Sequence, residues 1–166
     1  MQADSYLVPE CIARPQSFGG LMTLYEANFI KLNAILRRQR LPEGDYCSVI
    51  ADDCDLFLTI HEQTRYTSLF TLTYMFDAAG SDGGMPEADP DLRGRIYYDA
   101  KMVEVLSWID THQHQVLRQF SRSLTGKPEH IPVDAHGQLE ARWKRNIMFS
   151  KWLEYLSDRG HAFSGP

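Results

Sequence analysis

A chain of 166 residues, 43% hydrophobic and 23% charged, has the composition of one globular domain, long enough to bury about two-thirds of its unfolded surface. A net charge of −5 and a pI near 5.6 exclude the broad basic face of a general nucleic-acid binder. No apolar run approaches the ~20 residues that span a bilayer, and the N-terminus lacks the basic-then-apolar order of a secretory signal.

Residues 1–16 hold two prolines and no periodicity, and read as a flexible lead-in to a single domain over 17–160. Ser17 is placed to cap a helix over 19–39, whose apolar stripe is Leu21, Leu24, Tyr25, Leu32, Ile35 and Leu36. Asn28 lies at the edge of that stripe. Arg37, Arg38 and Arg40 at its end suit the negative pole of the helix dipole, and Pro42 and Gly44 stop it. Asp45 to Phe76 then reads as three consecutive antiparallel strands. Leu56, Leu58 and Ile60 alternate with Phe57, Thr59 and His61; Tyr66, Ser68, Phe70, Leu72 and Tyr74 alternate with Thr67, Leu69, Thr71, Thr73 and Met75. Glu62 to Arg65 has the length of a tight hairpin connection without the Asn-Gly or Asp-Gly signal.

Asp77 to Asp91 is rich in Gly, Pro, Asp and Ser and reads as a solvated connector, since its acidic spacing does not match an EF-hand. Strand character returns over 92–106, with a turn or kink at Asp99 and Ala100. Trp108 to Phe120 fits a helix or a further strand. The last helix starts at Asp134 and runs to about Asp158 on Leu139, Trp143, Ile147, Trp152, Leu153 and Leu156, with Gly160 as its left-handed terminator and 161–166 as a short tail. The expected fold is α+β: an antiparallel, curved sheet of four to six strands packed with an N-terminal and a long C-terminal helix.

No nucleophile–base motif, phosphate loop or dinucleotide fingerprint is present. His112 and His114 share a spacing but lack further metal ligands, so no metal and no cofactor are expected. Cys11, Cys47 and Cys54 form no C-x-x-C; reduced thiols in a cytoplasmic protein are expected, with Cys47 and Cys54 in strands and facing the core. Arg142, Lys144 and Arg145 around Trp143 read as a solvated helix face with one buried Trp. The polar groups that stand out are Glu62, Arg65 and Tyr66 at the hairpin end, and Tyr97, Asp99 and Glu104 in the later strand pair. Arg65 cannot discharge, so beside a sheet of Leu, Phe and Tyr it is expected to pair with Glu62, Asp99 or Glu104.

Four segments also resemble the YqiB-like proteins, a bacterial domain of unknown function. They are YEANFIKLNAIL, LTIHEQTRYTSLFTL, RIYYDAKMVEV and KRNIMFSKWLEYLSDRGH, spanning roughly Leu21 to Gly160. The resemblance implies a small cytoplasmic protein and supplies no activity or cofactor. Its matching positions are Glu26, Asn28, Glu62, Thr64, Arg65, Tyr66, Tyr97, Asp99 and Glu104. The first functional expectation is a non-enzymatic protein-interaction or regulatory module, with a homodimer left open and neither nucleic acid nor membrane as partner. The second is a binding protein for a small anionic metabolite such as a nucleotide, with Glu62, Arg65, Tyr66, Tyr97, Asp99 and Glu104 around the ligand.

Overall fold

The computed structural model describes residues 17–76, 87–88, 90–109, 117, 119 and 135–165. The lead-in 1–16, Cys11, His112, His114 and the Asp134 cap lie outside them. Helix α1 spans Phe18–Ile35, and the Ser17 hydroxyl caps it by accepting from the Gly20 N–H at 3.0 Å. It ends four residues before the expected boundary. Arg37 and Arg38 instead take consecutive left-handed conformations, φ 53° and 58°, so the arginines follow the helix rather than forming its last turn.

The strands are β1 (Gly44–Ser48), β2 (Leu56–Gln63), β3 (Thr67–Phe76), β4 (Glu87–Ala88), β5 (Asp91–Tyr97) and β6 (Met102–Ile109), and α2 spans Ala135–Arg159. All pairings are antiparallel in the order β1-β2-β3-β5-β6, with β4 on the far end of β3. Bulges interrupt the register between Ile60 and Glu62 and between Arg93 and Gly94, which bends the strands concerned. The stretch expected to be a solvated connector thus ends in structure: Glu87 and Ala88 pair with Phe76 and Met75, and Asp91 opens β5.

Period-2 patterning decides which face is covered. Leu56, Leu58, Ile60, Phe70, Leu72, Tyr74, Leu92, Ile96, Val103 and Val105 form one buried face with Leu32 and Ile35 of α1 and Phe149, Trp152, Leu153 and Leu156 of α2. Phe57, Thr59, Leu69 and Thr71 on the other face are half-buried. Gly94 belongs to the covered face because the Phe70 ring occupies its side-chain space; a Cβ there would sit 2.4 Å from Phe70 Cζ. Trp108 and Ile109 finish β6, while Leu117 is helical and fully buried.

Two further expectations need correcting. Cys47 is exposed on the uncovered side of β1, and Cys54 is half-buried in the β1–β2 connection rather than in a strand. The segment after Gly160 is short but anchored. Gly160 takes φ 90°, the His161 N–H returns to Leu156 O at 3.0 Å, and the Phe163 N–H donates to Ile35 O at 2.9 Å. His161 and Phe163 are both buried, because they close the core between the ends of α1 and α2.

Candidate functional site

The β2–β3 turn is built by Thr64. Its Oγ1 accepts from the Thr67 N–H at 3.1 Å and the Tyr66 N–H at 3.3 Å, which is why the hairpin needs no glycine. The Tyr98 N–H donates to Tyr66 O at 2.8 Å, drawing the β5–β6 turn alongside. Arg40, just past α1, then locks the two turns. Its Nη1 donates to Arg65 O at 2.9 Å, its Nη2 donates to Thr64 O, and its guanidinium lies 4.1 Å from the Tyr98 ring centroid. The Arg65 guanidinium lies 5.3 Å from the Tyr66 centroid. The result is a platform of two guanidiniums on two tyrosine rings at one end of the sheet. Beside it Phe29, Leu32, Leu36, Gln39 and Ile96 line a shallow open cleft against Tyr98.

The six residues singled out in the sequence divide between places. Arg65 and Tyr66 meet each other, and Tyr97 meets Glu104, its hydroxyl donating to Glu104 Oε2 at 3.1 Å. Glu62 and Asp99 are exposed. The expected Arg65–carboxylate pair does not form: among the described residues Arg65 has no ion pair with Glu62, Asp99 or Glu104. The register sets Glu62 opposite Leu69, and Asp99 lies in the next turn. An exposed guanidinium keeps its head in water at little cost, so nothing compels it to find an acid.

Glu104 belongs to a second place, the rim where α1 and α2 meet β6. Asn146 of α2 accepts the Val105 N–H with Oδ1 at 3.0 Å and so caps the edge of β6. Asn28 of α1 donates to Asn146 O at 3.0 Å, though its buried Oδ1 has no partner among the described residues. Glu26 on the same helix is exposed. Burial pushes the Tyr25 phenol up to about 12, helped by the Glu104 carboxylate and opposed by Arg142 and Arg145. Trp143 is buried as its spacing implied, but the neighbouring Arg145 is half-buried, and this the sequence did not signal.

A third polar cluster escaped sequence reasoning altogether. At the other end of the β2–β3 hairpin, Asp53 Oδ2 accepts from the Tyr74 hydroxyl at 3.0 Å and lies 3.1 Å from His161 Nε2. Its Oδ1 accepts from Tyr155 at 3.3 Å. His161 Nδ1 lies 3.0 Å from Ser48 Oγ, which also accepts the Ala162 N–H at 3.1 Å, and Trp152 Nε1 donates to the Tyr74 hydroxyl at 3.1 Å. A serine–histidine–aspartate chain is the pattern that activates a hydroxyl nucleophile. Here the serine oxygen is buried and already holds a backbone N–H, so the chain clamps residues 161–162 to the β1–β2 connection.

These observations define a two-layer α+β domain, an antiparallel sheet with two helices on one face, in which the described residues contain no metal-ligating cluster. No helix among the described residues is long and apolar enough to cross a membrane. The chain belongs to the family described as Protein of unknown function (DUF1249), whose model matches residues 31–162. It is similar to the uncharacterized protein YqiB of Escherichia coli strain K12, 29% identical over 143 residues that cover 86% of this chain and 90% of the relative. The YqiB proteins of the O6:H1 and O157:H7 strains match to the same extent. No solved structure gives a significant match.

Proposed function

We propose that this chain is a non-catalytic binding module that takes a small anionic, ring-bearing ligand, a nucleotide being the type, on the platform of Arg40, Arg65, Tyr66 and Tyr98. The observation that carries this reading is that two guanidiniums are oriented on aromatic rings with no carboxylate paired to them among the described residues. Guanidinium forks bind phosphate bidentately, and tyrosine faces or guanidinium planes stack a base. Arg37 and Arg38, shortly before Arg40 in the chain, add two exposed cations, held in conformations that glycine would adopt at lower cost. The backbone there is maintained by the Arg38 N–H to Asn33 O bond at 2.8 Å and the Gln39 N–H to Leu36 O bond at 3.0 Å.

Calorimetric titration of the full chain with adenosine monophosphate, ribose 5-phosphate and adenosine tests the reading. Binding is expected to be strongest for the nucleotide, because only it offers both the ring and the phosphate. Arg65→Ala should weaken the nucleotide and the sugar phosphate alike, while Tyr66→Ala should weaken only the nucleotide and adenosine. Nucleotide binding that neither substitution alters would overturn the assignment.

A further inference from the structure

The rim of β6 holds a charge imbalance that the platform does not involve. Arg95 stands opposite Glu104 in the β5–β6 register and lies in electrostatic range of Tyr97, whose hydroxyl donates to that same carboxylate. Arg142 and Arg145 of α2 lie in electrostatic range of the buried Tyr25 hydroxyl and of each other, and Arg145 also of Glu104; the Asn146 bonds to Val105 N–H and to Arg142 O hold this turn of α2 against β6. Three guanidiniums against one carboxylate leave an excess of two positive charges among these residues. The Nε–H of Arg145 is buried and has no acceptor among the described residues. A buried charged donor without an acceptor is unfavourable, and a ligand oxygen would relieve it.

We propose that this rim binds a doubly charged oxyanion of the phosphate type, free or carried on an ester. Arg142 and Arg145 act as paired donors, the Tyr25 and Tyr97 hydroxyls lie beside them, and Glu104 is the internal counter-charge. Electrostatics supports the geometry. Burial first, and Arg142 second, lower the pKa of Arg145, and Tyr25 and Glu104 only partly oppose them. Glu104 sets the selectivity. By cancelling one of three positive charges it leaves a site matched to a dianion and poorly filled by chloride.

The test is a titration of the full chain with inorganic phosphate, glycerol phosphate and chloride, read by calorimetry and by the NMR signal of the Arg145 Nε–H. Phosphate is expected to shift that signal saturably, and chloride to leave it in place. Arg145→Lys keeps the charge but removes the Nε–H and the planar fork, so affinity should fall about tenfold. Glu104→Gln should raise affinity about tenfold for phosphate and more for chloride. Arg65→Ala should change neither, which separates this rim from the platform. Equal binding of glycerol phosphate would assign the site to esters, and its exclusion to the free ion. An Arg145→Lys chain that binds phosphate as the unaltered one does, or an Nε–H signal that phosphate does not move, would overturn the proposal.

Discussion

The two ends of the β2–β3 hairpin are made from similar residues and do opposite things. At the Leu56–Tyr74 end, tyrosine, tryptophan, histidine, serine and aspartate are buried and close their hydrogen bonds on one another. At the Gln63–Ser68 end, Arg40, Arg65 and Tyr66 are exposed and Tyr98 half-buried, each guanidinium lies on a ring, and Arg40 also donates to backbone carbonyls. The difference is one of solvent. A buried polar group must find its partner inside the protein, which makes a closed cluster a device for stability. Arg65, an exposed cation on a ring, leaves its donors available to something else.

Breaking the closed end should have the largest effect. Asp53→Ala removes the acceptor shared by Tyr74, Tyr155 and His161, so urea unfolding should show a loss of about 3 kcal/mol. An Asp53→Ala chain within about 0.5 kcal/mol of the original would mean that the cluster is not a clamp.

Alkali separates buried from exposed tyrosines. Tyr25 is raised to about 12, and Tyr74 is held above the usual range, chiefly by burial, with the Trp152 N–H opposing and Asp53 adding to the rise. An unfolded tyrosine ionises near pH 10, so between about pH 10 and 12 the unfolded chain releases protons that the folded one retains. Stability is therefore unaffected by these groups below about pH 10 and falls above it, by about 1.4 kcal/mol per pH unit for Tyr25 alone. Tyr25→Phe should flatten that fall in an alkaline denaturation series.

Gly94 calibrates both ends, since it lies between them in the covered face. Gly94→Ala would drive a methyl group into the buried Phe70 ring, and thermal unfolding should report a loss of about 2 kcal/mol. The smallest effect belongs to the open end. Arg65→Ala should change stability by less than about 0.5 kcal/mol in the same assay, because its guanidinium is exposed and only stacked. A larger loss would make Arg65 a structural residue and narrow the contrast.

The fold was legible where a single periodicity ruled. The alternation through Leu56–Ile60 and Ser68–Tyr74, the Ser17 cap and the Gly160 terminator each express one local rule, and the structure follows all of them. Arg37 and Arg38 departed from the helix because two left-handed residues after Leu36 have no composition signal. The polar clusters were legible only as residue types. Tyr97 and Glu104, close in sequence, meet through a hydrogen bond, whereas the expected Arg65 pairing is missing because an exposed turn imposes no need for a counter-ion. Ser48, Asp53 and His161 went unnoticed since nothing local links residues so distant. His161 lay in what reads as a tail, although its position directly after the Gly160 terminator was the one available hint.

The same clamp has a temporal meaning. Ser48 and Asp53 are joined to His161 across 113 and 108 positions of sequence. During synthesis both emerge from the ribosome long before the histidine exists, so the Leu56–Tyr74 end of the sheet stays open until residue 161 has been added. The hairpin's opposite end needs only Arg40, 24 and 25 positions away from the carbonyls it holds, and Tyr98, 32 positions after Tyr66, and can assemble early. Native structure in this chain is thus set to grow from the platform toward the clamp, whose contacts are among the more distant in sequence.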